Sequence, residues 1–203
     1  KAYYVYGPRQ QAWYIRLERS LVDWENKSID WPFQESKTEL ESIKEVTDIE
    51  VKYNEAIDLF HEEDYEQATN KLTDIIKSNS YYFEAYSLRA ICHFRQLKYK
   101  EAEDDNNSAI NMIIKNDNKL DSSNAIVLRY RARVRLMLKK YRKALKDITE
   151  YMELSPNCAE SHYIRGLIYF ETESSPSKNA KQDFLKAKEL NHEDAIKMLS
   201  EHF

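Results

Sequence analysis

Glycine is nearly missing from this chain: only two of its 203 residues are glycine, and four are proline. An average protein has about 7% glycine. β-Hairpin turns, dinucleotide-binding turns and phosphate-binding loops all use glycine because they need positive φ angles. The shortage therefore argues against β-rich folds and against most nucleotide-binding enzyme folds. It favours long helices joined by short turns.

The chain also has few cysteines, little excess of one charge over the other and no long apolar run. The two cysteines, Cys92 and Cys158, have no zinc-binding spacing, so we expect a reducing compartment and a cytoplasmic location. Net charge is only -4, which predicts no overall attraction to nucleic acid. No apolar run approaches the roughly 18 residues of a membrane span. The chain begins with Lys1 instead of Met, so we expect a processed chain or a fragment, and an organellar location stays open.

What the chain does contain is a pattern that returns every 34 residues. Three segments share a Tyr-x-x-Ala core, which ends at Ala68, Ala102 and Ala144. Twelve residues before each of these alanines stands another small residue. In a fourth unit glycine holds the same place, and a two-residue insertion precedes its later alanine, Ala180. These earlier small residues are Ala56, Ala90, Ala132 and, in the fourth unit, Gly166. One interval is eight residues longer, and the extra residues fall in the polar stretch 115–124.

This pattern resembles the tetratricopeptide repeat (TPR) family, whose repeats are 34-residue hairpins of two helices, A and B. In that family, small residues at positions eight and twenty let the two helices approach closely. The resemblance implies an all-α, right-handed solenoid of helical hairpins with four repeats. The repeats span 49–82, 83–124 with the insertion, 125–158 and 159–191.

The segments on either side of the repeats have a different character. Residues 1–48 predict an N-terminal helical extension with a helix over 8–27 and an aromatic linker over 28–34. Ser36 and Glu39 form a capping box that starts a further helix. We expect the aromatic residues of this extension to be buried on the first repeat or on a partner. Residues 192–203 predict a helix that caps the last repeat, because a solenoid must cover its terminal apolar face.

Opposite charges recur at positions seven and twenty-three of the repeats, in a pattern similar to the co-chaperone subtype of the family. We interpret these residues as pairs that join helices A and B, and not as ligand contacts. The pairs are Arg89 with Asp105, Arg131 with Asp147, Arg165 with Asp183 and, with reversed signs, Glu55 with Lys71.

The residues that would bind a chaperone tail are absent. Co-chaperones of this family hold a C-terminal Glu-Glu-Val-Asp sequence with a carboxylate clamp of lysine, asparagine and arginine side chains. The corresponding positions here are Tyr53, Ile57, Leu88, Ile126 and Tyr130, or, one repeat later, Ser87, Ile91, Tyr130, Glu160 and Ile164. Neither set provides the required donors, so the sequence predicts a different kind of protein partner.

The sequence offers no constellation for catalysis, and we expect no catalytic residue, no metal and no cofactor. The five histidines are scattered, and Cys92 and His93 would point about 100° apart on a helix. The stretch 129–146 has nine basic residues and no acid. Because residues two apart on a helix lie about 200° apart, these charges are split between faces, which argues against a nucleic-acid surface.

The resemblance implies a non-catalytic protein-interaction module, an adaptor or scaffold. We expect it to hold an amphipathic, partly acidic segment of a partner protein in the concave groove. Positions two, five, nine and twelve of the A helices would line this groove. They hold Tyr53, Ile57, Phe60, Ile91, Phe94, Arg129, Arg133, Leu136, Tyr163, Leu167 and Phe170. Two alternatives are a subunit of a large assembly that docks through the aromatic residues of 3–33, and an RNA-associated repeat protein that uses the basic stretch.

Overall fold

The computed structural model describes residues 37–117, 119–173 and 177–203, and all of them lie in helices or in the turns between helices. The described part of the chain is therefore all-α, as expected. Its helices are α1 Lys37–His61, α2 Tyr65–Ser78, α3 Phe83–Arg95, α4 Tyr99–Asp117, α5 Ile126–Met137, α6 Tyr141–Leu154, α7 Ala159–Thr172, α8 Lys178–Glu189 and α9 Glu193–His202. The expected helix over 8–27, the aromatic linker and Ser36 of the capping box lie outside the described residues.

The chain divides into two units, Lys1–Glu55 and Ala56–Phe203. In the first unit, the described residues 37–55 are helical. The second unit contains the end of α1 and helices α2 to α9. Among the helices of the described ranges, none is long and apolar enough to cross a membrane.

The second unit is a stack in which each helix from α2 to α9 packs on the next one. Small residues set the spacing within the hairpins, since Ala90, Ala102, Ala132 and Ala144 are at most 1% exposed. At the matching place on α7 stands Gly166, and a Cβ atom added there would lie 2.7 Å from Cε1 of the buried Phe184 ring. The close approach of α7 and α8 therefore depends on glycine.

The turns between helices adopt positive φ angles without glycine. Glu63, Leu97 and Lys139 each follow an A helix with φ between 55° and 62°, and Asn191 before α9 has φ 64°. Each of the first three turns closes with a backbone bond, such as Leu97 N–H to the Phe94 carbonyl at 3.0 Å. A left-handed conformation costs a non-glycine residue about 1–2 kcal/mol. The glycine shortage therefore does not prevent these turns; it makes them less stable.

Three of the four predicted opposite-charge pairs join helices A and B, and the pair of Glu55 with Lys71 stays a prediction. Nε and a terminal nitrogen of each arginine donate to the two oxygens of one carboxylate, at 2.7 to 2.9 Å, in Arg89–Asp105, Arg131–Asp147 and Arg165–Asp183. The remaining nitrogen of Arg89 donates to Thr73 on α2, and that of Arg131 donates to Asn107 on α4. These two arginines therefore also connect each repeat to the preceding one.

The A helices lie on the inner side of the stack. Beyond the contacts between successive helices, α3 contacts α5 and α5 contacts α7, and all three are A helices. Successive A helices thus approach one another more closely than successive B helices do. In a curved stack, the more closely spaced helices lie on the concave side.

Candidate functional site

The middle of the A-helix side contains a small cavity between α3, α4 and α5. Its volume is about 70 Å³, and its lining includes Ile91 and Phe94 from α3 and Tyr130 and Arg133 from α5. The Arg133 guanidinium lies over the Phe94 ring, 5.4 Å from its centre. Asn106 lines the cavity from α4; it is 1% exposed, and its Oδ1 has no hydrogen-bond partner. The cavity thus combines apolar walls with one unused acceptor.

Arg133 has a carboxylate partner within the protein. Its NH1 donates to Glu160 Oε1 at 2.6 Å, and the other oxygen of Glu160 lies 2.8 Å from His192 Nε2. About half of the Arg133 side chain is exposed, so this ion pair stabilises the fold by no more than about 1 kcal/mol. Arg133 still covers the cavity, but its charge is already balanced. We expected Arg133 to pair with an acidic residue of the partner, but the structure pairs it with Glu160 of the same chain.

The Arg129 guanidinium contacts a sulfur atom, whereas the other three arginines of α5 contact carboxylates. Its NH1 donates to Cys158 Sγ at 3.0 Å, and its guanidinium lies over the rings of Tyr130 and Tyr151. Burial lowers the pKa of Arg129, but the interactions with Cys158, Tyr151 and Tyr130 together outweigh burial and raise the pKa overall. Among arginines 129, 131, 133 and 135, Arg129 is the one with no carboxylate partner in the described part of the chain. We call the surface formed by Ile91, Phe94, Arg129, Tyr130 and Arg133 the central groove.

Three other cations of the basic stretch, Arg131, Arg135 and Lys140, are balanced by acids on neighbouring helices. Arg135 contacts Glu103 at 2.9 Å and Asp147 at 2.6 Å, and Lys140 also pairs with Glu103. Burial by itself would raise the pKa of Glu103, but hydrogen bonds from Lys140 and Arg135 hold it below its ordinary value. Arg131 and Arg135 thus face α4 and α6, away from the central groove, as the helical spacing predicted.

Four of the predicted groove residues do not belong to the central groove as defined above. Ile57 and Phe60 are half-buried on α1, and the Phe60 ring contacts the Tyr65 ring with centres 5.6 Å apart. Leu136 is only 9% exposed and belongs to the hydrophobic core, so its assignment to the groove is wrong. Tyr53 belongs to the first unit and is half-buried there.

The C-terminal helix covers the predicted groove residues of the fourth repeat. The Tyr163 ring stacks on His192 with centres 4.4 Å apart, and the Phe170 ring contacts Phe203 and His202. Leu167 packs against both core clusters of the repeats. The predicted apolar end on α7 is therefore packed against the capping segment and is not an open ligand surface.

Sequence reasoning did not select Tyr130 of the central groove, Asn106 of the cavity or Cys158, which contacts Arg129, as site residues. Asn106 lies four residues after Ala102, so a polar residue on the buried face of α4 was the available signal. Cys158 lies 29 residues from Arg129, and no spacing rule connects the two. Within the described ranges, no group of three or more His, Cys, Asp or Glu side chains could hold a metal ion.

These features define a class of protein, a helical-hairpin solenoid with a groove along its A helices. No family model and no curated protein matches the sequence. Solved structures do match. The first TPR of Spaghetti (RPAP3), bound to the HSP90 peptide SRMEEVD, is 25% identical and has a TM-score of 0.56, over 62% of this chain and 94% of that one.

Two further solved structures have the same fold. MamA from Desulfovibrio magneticus RS-1 is 16% identical with a TM-score of 0.63, over 74% of this chain and 81% of that one. YrrB, described as a TPR protein with an unusual peptide-binding site, is 21% identical with a TM-score of 0.59, over 81% and 80%. The second unit thus has the fold of TPR proteins, which confirms the resemblance found in the sequence.

Proposed function

We propose that this protein is a non-catalytic protein-interaction module whose central groove binds an amphipathic, partly acidic segment of a partner protein. One observation carries the proposal: half-buried apolar side chains, Ile91 and Phe94, lie on the same concave side as Arg129, a guanidinium without a carboxylate partner in the described residues. An apolar side chain and a carboxylate on one partner segment would complement these two features.

The apolar contact would provide most of the affinity. Fully burying a large apolar side chain contributes about 1.5–3 kcal/mol, and the cavity beside Phe94 offers such a side chain a place to bind. A carboxylate that replaces the Cys158 sulfur at Arg129 would chiefly determine register and partner choice. Arg133 would contribute by covering the Phe94 ring, since Glu160 already balances its charge.

The solved neighbours do not suggest which partner this is. The RPAP3 domain binds a chaperone peptide, but two of the clamp positions in this chain, Leu88 and Ile164, are at most 9% exposed. Neither side chain can reach a ligand. We therefore expect the peptide SRMEEVD to show no saturable binding to this protein in fluorescence anisotropy, relative to a scrambled peptide. Saturable binding that requires its terminal carboxylate would contradict this part of the proposal.

A selection from a displayed peptide library against the full chain tests the proposal directly. We expect the selected peptides to contain large apolar residues with Asp or Glu between them. Phe94→Ala should weaken the best peptide at least tenfold, which corresponds to about 1.4 kcal/mol. Arg129→Ala should remove the preference for the acidic residue.

The matched control is Arg142→Ala, which removes an exposed arginine of the same basic stretch from the B helix α6. We expect this variant to bind the selected peptides with unchanged affinity. If Phe94→Ala also binds with unchanged affinity, the central groove is not the binding surface, and the aromatic extension 3–33 becomes the favoured one. If Arg142→Ala weakens binding as much as Arg129→Ala does, the attraction is unspecific charge.

A further inference from the structure

Side chains from two other helices, α5 and α6, converge on Cys158. It is the N-cap residue of α7 and is partly exposed. The Arg129 guanidinium on α5 donates to its sulfur at 3.0 Å. Tyr151 reaches the same place from α6. The sulfur thus has a cation on one side and the first turn of a helix, whose N–H groups favour negative charge, on the other.

A second, independent observation concerns Ser161, one turn further along α7. Its side chain is completely buried, yet its hydroxyl has no hydrogen-bond partner of good geometry. A buried hydroxyl without an acceptor is unfavourable by about 1–3 kcal/mol. An anionic sulfur at Cys158 is an acceptor that this hydroxyl can use, since Ser161 is one of the groups that favour the Cys158 thiolate. The Arg129 contact and the unpartnered Ser161 hydroxyl therefore both favour a negatively charged sulfur at Cys158.

The polar and charged groups that face the sulfur lower the pKa of the Cys158 thiol, against the effect of burial. Burial would raise the pKa of the Cys158 thiol, but Ser161 and the Arg129 guanidinium outweigh burial and hold it below its ordinary value. Tyr151 faces the pair from α6; burial and the neighbouring sulfur raise its pKa, so it stays neutral at pH 7. The other cysteine differs, because burial raises the pKa of Cys92 to about 11.

We propose that Cys158 is a site of reversible covalent modification that reacts with low-molecular-weight disulfides. The Cys158 thiol first releases its proton to water. The thiolate then attacks one sulfur of the disulfide, so a new S–S bond forms at Cys158 as the original S–S bond breaks. The departing thiolate takes up a proton, so one protein thiol and one disulfide yield a mixed disulfide and one free thiol.

Modification would also regulate the central groove, and this consequence rests on the function proposed above. A group attached to the Cys158 sulfur lies within reach of Arg129 and occupies the space into which the partner's carboxylate would dock. A peptide such as glutathione carries carboxylates of its own, which would compete for the same guanidinium. The modified protein should therefore bind acidic segments more weakly.

The reactivity can be measured on the full chain without any partner. Iodoacetamide labelling followed by peptide mass spectrometry gives the alkylation rate of each cysteine as a function of pH. We expect Cys158 to react at least tenfold faster than Cys92 at pH 7, with a half-maximal rate below the pH of about 8.5 that is typical of a free thiol. Equal rates, or a half-maximal pH at or above that of a free thiol, would overturn the proposal.

Variants test the assigned causes. Arg129→Met should shift the half-maximal pH of Cys158 labelling upward, Arg129→Lys should restore most of the shift, and Arg142→Met should leave it unchanged. Ser161→Ala should also raise this pH, and it offers a second test if Arg129→Met does not fold. If neither Arg129→Met nor Ser161→Ala moves the labelling profile, the assignment of the site is wrong.

Oxidised glutathione is the probe for the exchange itself. We expect a glutathione adduct on Cys158 and none on Cys92, reversible by dithiothreitol, and its absence would overturn the exchange. The adduct should lower the affinity of a selected groove peptide at least tenfold. If the adduct forms and the peptide still binds unchanged, the link to the groove is wrong while the reactive site stands. If no peptide binds the unmodified protein, the proposed function fails separately.

Discussion

Asp147 holds the largest buried charge network of the described repeats, so its removal is the sharpest test of how the hairpins are held together. Its carboxylate accepts from Nε and NH2 of Arg131 at 2.9 and 2.8 Å, and from NH1 of Arg135 at 2.6 Å. The residue is 1% exposed. In Asp147→Ala, the Arg131 guanidinium stays buried without a carboxylate.

The expected cost follows from what each guanidinium retains. Breaking a buried ion pair by removing one partner costs about 3–5 kcal/mol. Arg131 keeps its bond to Asn107, and Arg135 keeps Glu103. We therefore expect a loss at the lower end of this range, about 3 kcal/mol in the free energy of unfolding. The pair of Asp74 and Lys77 on α2 is the control, since both side chains are at least 70% exposed and Asp74→Ala should cost less than about 1 kcal/mol.

Urea unfolding followed by circular dichroism at 222 nm measures both variants. With a denaturant slope of about 2 kcal/mol per molar, Asp147→Ala should lower the midpoint by about 1.5 M. The double variant Arg131→Met/Asp147→Ala should lose less than the sum of the two single variants, because it removes one of the stranded charges. If Asp147→Ala shifts the midpoint no further than Asp74→Ala does, the network does not stabilise the hairpin and the reasoning is refuted.

Three further predictions concern turns, packing and pH. Leu97→Gly should raise the free energy of unfolding by about 0.5–1 kcal/mol, because Leu97 has a left-handed conformation and is 70% exposed. The control Asp104→Gly, inside α4, should lower the free energy of unfolding by about 1 kcal/mol. Urea midpoints measure both changes. Gly166→Ala should lower the melting temperature despite the better helix propensity of alanine, and the loss should shrink in a Phe184→Leu background, where the methyl group has room. The folded-state pKa of Glu103 lies below its ordinary value of 4.5, so its contribution to stability is present above pH 4.5 and is lost as the pH falls through the folded value. Glu103→Gln should therefore flatten the fall in the free energy of unfolding below pH 4.5. An unchanged acid profile of this variant would contradict the prediction.

The features that the sequence could predict are those that recur in every repeat. The small residues at Ala90, Ala102, Ala132 and Ala144 and the pairs such as Arg89 with Asp105 return at one spacing, and each hairpin has the same geometry. Two helices joined by a short turn have few ways to pack, so residues at matching positions must meet. The split of the basic stretch between two faces also follows from the period of a single helix.

The central groove depended on contacts between repeats, which no local pattern specifies. Glu160 balances Arg133 from 27 residues away, and Glu103 balances Arg135 from 32 residues away. Glu103 occupies a position that is not acidic in the other repeats. Glu160 shares its position with Glu50 and Glu84, but the period alone does not show which arginine of another repeat such an acid meets.

The sequence alone therefore determined the helical hairpins and three of the pairs that join them, because these depend on short-range geometry that repeats along the chain. Only the tertiary structure decided which charges are available for a ligand. It left Arg129 beside the sulfur of Cys158 and packed the capping segment against Tyr163 and Phe170. Stacking brings α3 and α5 each against residues of two other repeats, and the identity of those residues is particular to each place in the stack.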